Sequence, residues 1–273
     1  MRLLGTNTLL STPSNNESAQ GAYGLSMRHY LFLILTLAAC IQARPVAVSA
    51  DPEGRTVVLL HGLVRSSASM RKMEKALVEE GFHTCNIDYP SRKHGIEVLA
   101  REYILPQIRD CTRDSTQPID FVSHSMGGIL VRYLAEYDLV PDMGRVVMLS
   151  PPNQGSELVD KFGDNWLFDL VNGPAGNQLG TDSSSVPLQL GPADFELGII
   201  TGSRSINGIN SMIISGKDDG KVSIERAKLD GMKAFLVLPA THSFIMSNSA
   251  VIDQTIYFLK NGEFDGQPSL GLN

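Results

Sequence analysis

Phe121-Val122-Ser123-His124-Ser125-Met126-Gly127-Gly128-Ile129-Leu130 is the stretch that decides how this chain is read. A strand-like run, Ile119 to Val122, enters it, and a helix-like run, Gly128 to Tyr137, leaves it. Between them lies a tight turn holding a serine among small residues. The turn comes close to Gly-x-Ser-x-Gly, a pattern in which the serine takes a strained backbone and lifts its oxygen above a sheet. Small neighbours are needed because strand and helix nearly touch there. Ser123 departs from the pattern, standing where its first glycine would be. A serine adds one Cβ and a hydroxyl, so the turn is expected to survive with looser packing. Taken alone, the stretch also reads as a helix N-terminus capped by Ser123 or Ser125, and the surrounding chain has to decide.

Outward from the turn, strand and helix signals alternate. Thr56 to Leu60 is a continuous apolar, β-rich run, as expected of a strand buried on both faces. Ala68 to Glu80 is helix-like, with Met70, Met73, Leu77 and Val78 at helical spacing, and Gly81 ends it. Phe82 to Ile87 reads as the next strand. Gly95 to Cys111 reads as a second helix, kinked or split by Pro106. After the central turn and its helix, Arg145 to Ser150 is another buried strand. Further strand signals stand at Leu197 to Thr201, Met212 to Ser215 and Ala234 to Leu238, and a last helix runs from about Ser249 to Asn261. The alternation predicts an α/β fold, a mainly parallel central sheet with helices on both faces. Around 156–195 the rhythm breaks, and Phe162, Trp166, Leu167, Phe168, Leu170 and Val171 form an apolar cluster. This is read as a short, partly helical insertion over the site.

Length and composition fit one large domain at 51–273, since 42% apolar residues suffice for a sizeable core. A net charge of −6 without a Lys/Arg run argues against a nucleic-acid partner and against electrostatic docking on anionic lipid. Residues 1–26 are polar and aperiodic and read as disordered or as an over-long gene start. Residues 27–50 have the shape of an export signal: Arg28 and His29, then an apolar run from Tyr30 to Ala39 too short to span a membrane. Leu37-Ala38-Ala39-Cys40 resembles a bacterial lipobox, which would make Cys40 a lipidated membrane tether. A plain signal cleaved after Ala43 or Ala50 is the other reading. Either way the protein is expected outside the cytoplasm: periplasmic, secreted or anchored to the outer membrane. Of three cysteines, Cys85 and Cys111 are then left either as a disulfide or as two buried thiols.

A serine hydroxyl is a poor nucleophile until a base takes its proton, and histidine has the pKa for that task. Among six histidines, His29 lies in the signal, and His83 and His94 do not stand at a strand's carboxyl end. His124 adjoins the serine, where a neighbouring side chain is expected to point elsewhere. His61 follows the first strand. His242, in the loop after Ala234 to Leu238, is at the end where parallel sheets keep their sites. The base needs a carboxylate, and Asp218 and Asp219 offer two in one loop between Ser125 and His242. Developing negative charge needs fixed N–H groups. Met126, next after the serine, and Leu63, in the loop His61-Gly62-Leu63, are the candidates.

Val57 to Leu63, His124 to Gly128, Asp219-Gly220-Lys221-Val222 and Thr241-His242-Ser243 together resemble the α/β-hydrolase superfamily, and within it bacterial lipase- or esterase-like members. Ser150-Pro151-Pro152-Asn153-Gln154-Gly155-Ser156 is similar to the Pro-x-x-x-Gly-Ser loop of many lipases. The resemblance implies Ser125 as nucleophile, Asp219 as acid, His242 as base, and Leu63 and Met126 as the oxyanion hole. Asp219 is preferred to Asp218 because the family pattern sets the acid directly before Gly-x-Val. It implies cleavage of a small-molecule or lipid carboxylic ester through an acyl-serine, with neither cofactor nor metal. An acyltransferase using the same three residues, and a non-catalytic, surface-tethered binding protein on this scaffold, are the alternatives. Nothing in the sequence fixes an oligomeric state.

Overall fold

The structure is a computed structural model that describes residues 54–162, 166–205 and 208–266, with the backbone alone for 166–171 and 208–210. The readings made for 1–50 lie outside the described residues, as do those on the side chains of Trp166 to Val171.

In chain order the elements are β1 (Thr56–Leu60), α1 (Arg71–Glu79, entered through a 3₁₀ turn at Ser67–Met70), β2 (His83–Ile87) and α2 (Ile96–Val98, a π segment Leu99–Ile104, then Leu105–Cys111). β3 (Ile119–His124), α3 (Met126–Glu136) and β4 (Met143–Leu149) follow. Then come α4 (Glu157–Phe162), α5 (Trp166–Asn177), α6 (Val186–Gln189), β5 (Leu197–Gly202), α7 (Gly208–Ile213) and α8 (Ile224–Ala227). β6 (Ala234–Leu238), a 3₁₀ turn (His242–Ser247) and α9 (Ser249–Asn261) complete the set.

The six strands form one sheet in the order β2-β1-β3-β4-β5-β6, every neighbour parallel. Residues alternate between its two faces. Val58, Leu60, Phe121, Val146, Met148 and Ile199 enter one buried cluster. Val57, Leu59, Val122, Val147, Leu149 and Ile200 enter the other. Burying such a side chain contributes about 1.5–3 kcal/mol, so the sheet needs both of its helical layers. The chain crosses from β1 outward to β2 and then returns to β3 on the far side of β1. That reversal opens a crevice between the carboxyl ends of β1 and β3, where parallel sheets place their ligands.

Two sequence expectations change. Met212 to Ser215 is not a strand: α7 ends at Ile213, and the chain then turns, with an isolated bridge between Asp218 and Ser223. Three apolar residues and a serine, Met212-Ile213-Ile214-Ser215, are too short a run to distinguish a strand from a helix end. The second long helix is split at a π segment directly before Leu105 and Pro106. A proline has no N–H and crowds the preceding turn, and a widened turn removes that clash.

At the amino ends of the strands, the Arg55 and Arg145 guanidiniums both donate to the Leu259 carbonyl of α9, at 2.7 and 2.8 Å. Arg55 also pairs with buried Asp120 in β3. Cys85 of β2 and Cys111 at the end of α2 form a disulfide, their Cα atoms 6.2 Å apart.

Candidate functional site

β3 runs straight into the turn, and Ser125 takes φ 53°, ψ −123°. A non-glycine residue there is strained and must be held by its surroundings. The Ser125 N–H donates to the Leu149 carbonyl at 2.9 Å, and the Gly128 N–H to the Ser125 carbonyl at 2.9 Å. The glycines behind it fit because they lack side chains. A Cβ on Gly127 would stand 2.7 Å from the Leu60 carbonyl oxygen and 2.9 Å from that of His61. Ser123 is wholly buried, and its hydroxyl has no hydrogen-bond partner among the described residues. The turn forms despite it, since β3 keeps its pairing there with Leu60 and Met148.

His242 arrives from the loop after β6. Its Nε2 lies 3.0 Å from the Ser125 hydroxyl, and its Nδ1 lies 2.8 Å from Asp219 Oδ2. A carboxylate can only accept, so Nδ1 carries the proton and Nε2 accepts from the serine. A second bond, from the His242 N–H to the Asp219 carbonyl at 2.9 Å, locks the two loops together. The Asp219 side chain is sealed from solvent and that of His242 is 5% exposed.

Asp219 sits in a tight turn made by Gly220 at φ +101°. Its Oδ1 accepts the Lys221 and Val222 N–H groups at 3.0 and 2.9 Å. Burial alone would raise its pKa, but the His242 charge and hydrogen bond, the Ser150 hydroxyl and the Val222 N–H together lower it, so the carboxylate stays ionised. Asp218 faces another way, accepting from the Ser211 hydroxyl at 2.9 Å and the Gly220 N–H at 2.6 Å.

Sequence reasoning missed two residues here. Ser150, at φ 48° just beyond β4, supports the Asp219 carboxylate and accepts the Gly202 N–H at 3.4 Å. His124 does not point away from the site. It is buried beneath His242, with Nε2 3.0 Å from the His242 carbonyl and the rings 4.9 Å apart. Desolvation, and next the His242 charge, push its pKa well below the usual histidine range, so it is neutral and Nε2–H donates. The alternation of β3 carries the only signal for it, since this puts His124 on the face opposite Ser123. His61 is also buried, stacked on Tyr89 at 3.9 Å, and takes no place beside the serine.

The Leu63 N–H has no acceptor among the described residues. The Met126 N–H opens the first turn of α3, where no intrahelical acceptor exists. Ser125 lies in a cavity of about 290 Å³ whose apolar wall includes Leu63, Leu158, Val159, Phe162, Leu179 and Val222. The segment after β4 supplies much of that wall. It is fastened below by Arg132 of α3, buried, whose guanidinium donates to the carbonyls of Asn153, Pro187, Leu190 and Gly191. Among the described residues, no group of three or more His, Cys, Asp or Glu side chains is placed to hold a metal ion.

Residues 55–208 match the sequence model of a family described as alpha/beta hydrolase fold. No curated protein matches the sequence. Among solved structures, the mature form of the Bacillus licheniformis lipase BlEst2 is similar, at 20% identity and a TM-score of 0.60, over 77% of this chain and 94% of that one. Phospholipase PlaB from Legionella pneumophila is similar at 19% identity and a TM-score of 0.58, over 77% of this chain and 59% of that one. A metagenomic carboxyl esterase is similar at 20% identity and a TM-score of 0.52, over 74% and 68%. At these identities the likeness is one of fold.

Proposed function

Because the chain belongs to the α/β-hydrolase family, we propose that it is a serine hydrolase that cleaves carboxylic esters. The observation that carries this reading is the unbroken line of hydrogen bonds from the Ser125 hydroxyl through His242 to Asp219, opening onto an apolar cavity. The lipase and esterase folds it resembles support the same reading.

In the proposed reaction, Ser125 Oγ attacks the ester carbonyl carbon as its proton passes to His242 Nε2. The carbonyl oxygen, now negative, meets the Met126 and Leu63 N–H groups. The intermediate collapses, the carbon–oxygen ester bond breaks, and the His242 imidazolium returns the proton to the departing alcohol. Water then attacks the acyl-serine, giving its proton to His242, and the acid leaves as Ser125 Oγ recovers a proton. Asp219 stays ionised throughout, fixing the imidazole tautomer and balancing its charge. The apolar wall at Leu158, Val159, Phe162 and Leu179 suits an acyl chain.

We also propose that the protein works outside the cytoplasm, from the export-signal pattern of residues 27–50. The Cys85–Cys111 bridge supports this, because disulfides persist in oxidising compartments. Cys40 is the proposed lipid-bearing residue.

A fluorophosphonate probe tests the proposal. Peptide mapping is expected to find the adduct on Ser125, absent in Ser125→Ala. Folded protein that takes up no probe overturns the reading. The intact mass also reports whether the mature chain begins at a lipidated Cys40 or later.

A further inference from the structure

The cavity before Ser125 carries a charge that the chain as a whole does not share. Arg65 and Lys221 line it, no aspartate or glutamate does, and the chain's net charge is −6. Elsewhere Arg101, Arg145, Arg226, Lys228, Lys233 and Lys260 each meet a carboxylate, while Lys72 and Arg132 are held by main-chain carbonyls. Among the described residues neither cavity cation meets a carboxylate. Arg65 gives Nη2 to the Ser243 carbonyl at 3.1 Å, a neutral partner. Lys221 is anchored through its main-chain N–H on Asp219, which leaves its ammonium unpartnered among the described residues. The Asp219 carboxylate cannot swing out to neutralise it, being sealed from solvent and bonded to His242, Val222 and Ser150.

We propose that the site selects a carboxylic ester that itself carries an anionic group, a phosphate or a carboxylate. Arg65 and Lys221 receive the anion while the acyl chain lies along the Leu158–Phe162 side. This rests on the ester-hydrolase reading above. Arg65 and Lys221 are both exposed at the cavity; partial desolvation, and next the Arg65 charge, lower the Lys221 pKa against the pull of Asp219. The two cations repel each other, and an incoming anion relieves that repulsion while forming charge-assisted hydrogen bonds. A neutral ester gains neither.

The test compares matched esters. 4-Hexanoyloxybutanoate against butyl hexanoate asks about a carboxylate, and monohexanoylglycerol phosphate against monohexanoylglycerol asks about a phosphate, each anion being on the alcohol side of the ester. At least one anionic member is expected to show about tenfold higher kcat/KM than its neutral twin, from one charge-assisted contact. Lys221→Gln, which keeps the main-chain bond to Asp219, and Arg65→Gln are each expected to cut that ratio about tenfold. Lys75→Gln, on the exposed face of α1, serves as control and leaves it unmoved. The arm that responds identifies the anion. A ratio near one in the wild type, or one that neither cavity variant moves, overturns the proposal. If no ester turns over but Ser125 still takes the fluorophosphonate, protection of that labelling by hexyl phosphate against hexanol is read instead. Protection lost in Lys221→Gln supports the proposal, and no protection by the anion overturns it. Absence of both turnover and labelling overturns the ester-hydrolase reading itself.

Discussion

His124 donates its Nε2–H to the main-chain carbonyl of His242, 3.0 Å away, so the residue preceding the nucleophile candidate holds the loop that brings in the base candidate. Glutamine lacks the ring that fills this space and reaches the carbonyl less rigidly. His124→Gln is therefore expected to lower kcat about 10- to 100-fold through misplacement of the imidazole, with little change in KM. Steady-state kinetics beside circular dichroism of the variant would check this. A kcat near wild type would show that His242 keeps its place unaided.

Asp219 and Asp218 are neighbours with different partners. Asp219→Asn is expected to cost about 10⁴ in kcat, because an amide disfavours the required tautomer and cannot balance the imidazolium. Asp218→Asn retains an oxygen for the Ser211 hydroxyl and the Gly220 N–H, and should cost less than about tenfold. Equal losses would mean that the loop acts only as a whole.

Two of the buried histidines, His124 and His61, titrate against the fold. Burial lowers the pKa of His124 and of His61 below the unfolded value. For His124 the His242 and Arg65 charges act in the same direction and Asp219 opposes them. For His61 the main-chain contacts with Gly62 and Tyr89 and the charge of Asp88 oppose burial. Below about pH 6.5 the unfolded chain binds protons that the folded chain refuses, so stability is fully present above that pH and falls as the solution is acidified. The slope is up to about 1.4 kcal/mol per pH unit for each histidine. Urea melts from pH 7.5 to 5 would show it, and His124→Gln should remove one proton's share.

The close approach at the central turn predicts a stability cost separate from chemistry. Gly127→Ala would drive a Cβ against the Leu60 and His61 carbonyls, both in strand or loop backbone that cannot step aside. A loss of about 1–3 kcal/mol is expected, read from urea midpoints, together with weaker fluorophosphonate labelling as β1 and α3 are pushed apart.

Reducing the Cys85–Cys111 bridge releases a loop with a sequence separation of 26 residues. The expected loss is about 3 kcal/mol, measured by urea unfolding with and without a thiol reductant. An unchanged midpoint would mean that packing of β2 on α2 carries that edge alone.

Much of the fold and of the candidate site is legible in the sequence. Val57 to Leu60 and Val146 to Leu149 read as strands because the sheet is covered on both faces, so no polar alternation interrupts them. Ser125 and His242 stood at strand ends with small or loop-forming neighbours. Asp219 could be chosen over Asp218 only through the family pattern, because Gly220 turns the two side chains apart and composition carries no trace of that. Ser150 was illegible for another reason: a hydroxyl supporting a carboxylate looks like any loop serine until β4 and β5 lie side by side. Arg132 was equally silent. Its partners are main-chain carbonyls between Asn153 and Gly191, which any sequence could supply.

The Leu259 carbonyl takes guanidinium N–H groups from the entrance of β1 and from β4, tying the domain's first strand to its final helix. The latch has a temporal meaning. Ser125 and His242 are 117 positions apart, and β6, the strand that carries the chain to His242, is the last and outermost of the sheet. A growing polypeptide would hold its serine turn long before it possessed the proposed base, and β5 would meanwhile stand as an open edge. On the proposed chemistry, the serine would therefore lie dormant through most of synthesis and become reactive only when the last part of the domain closes over the first.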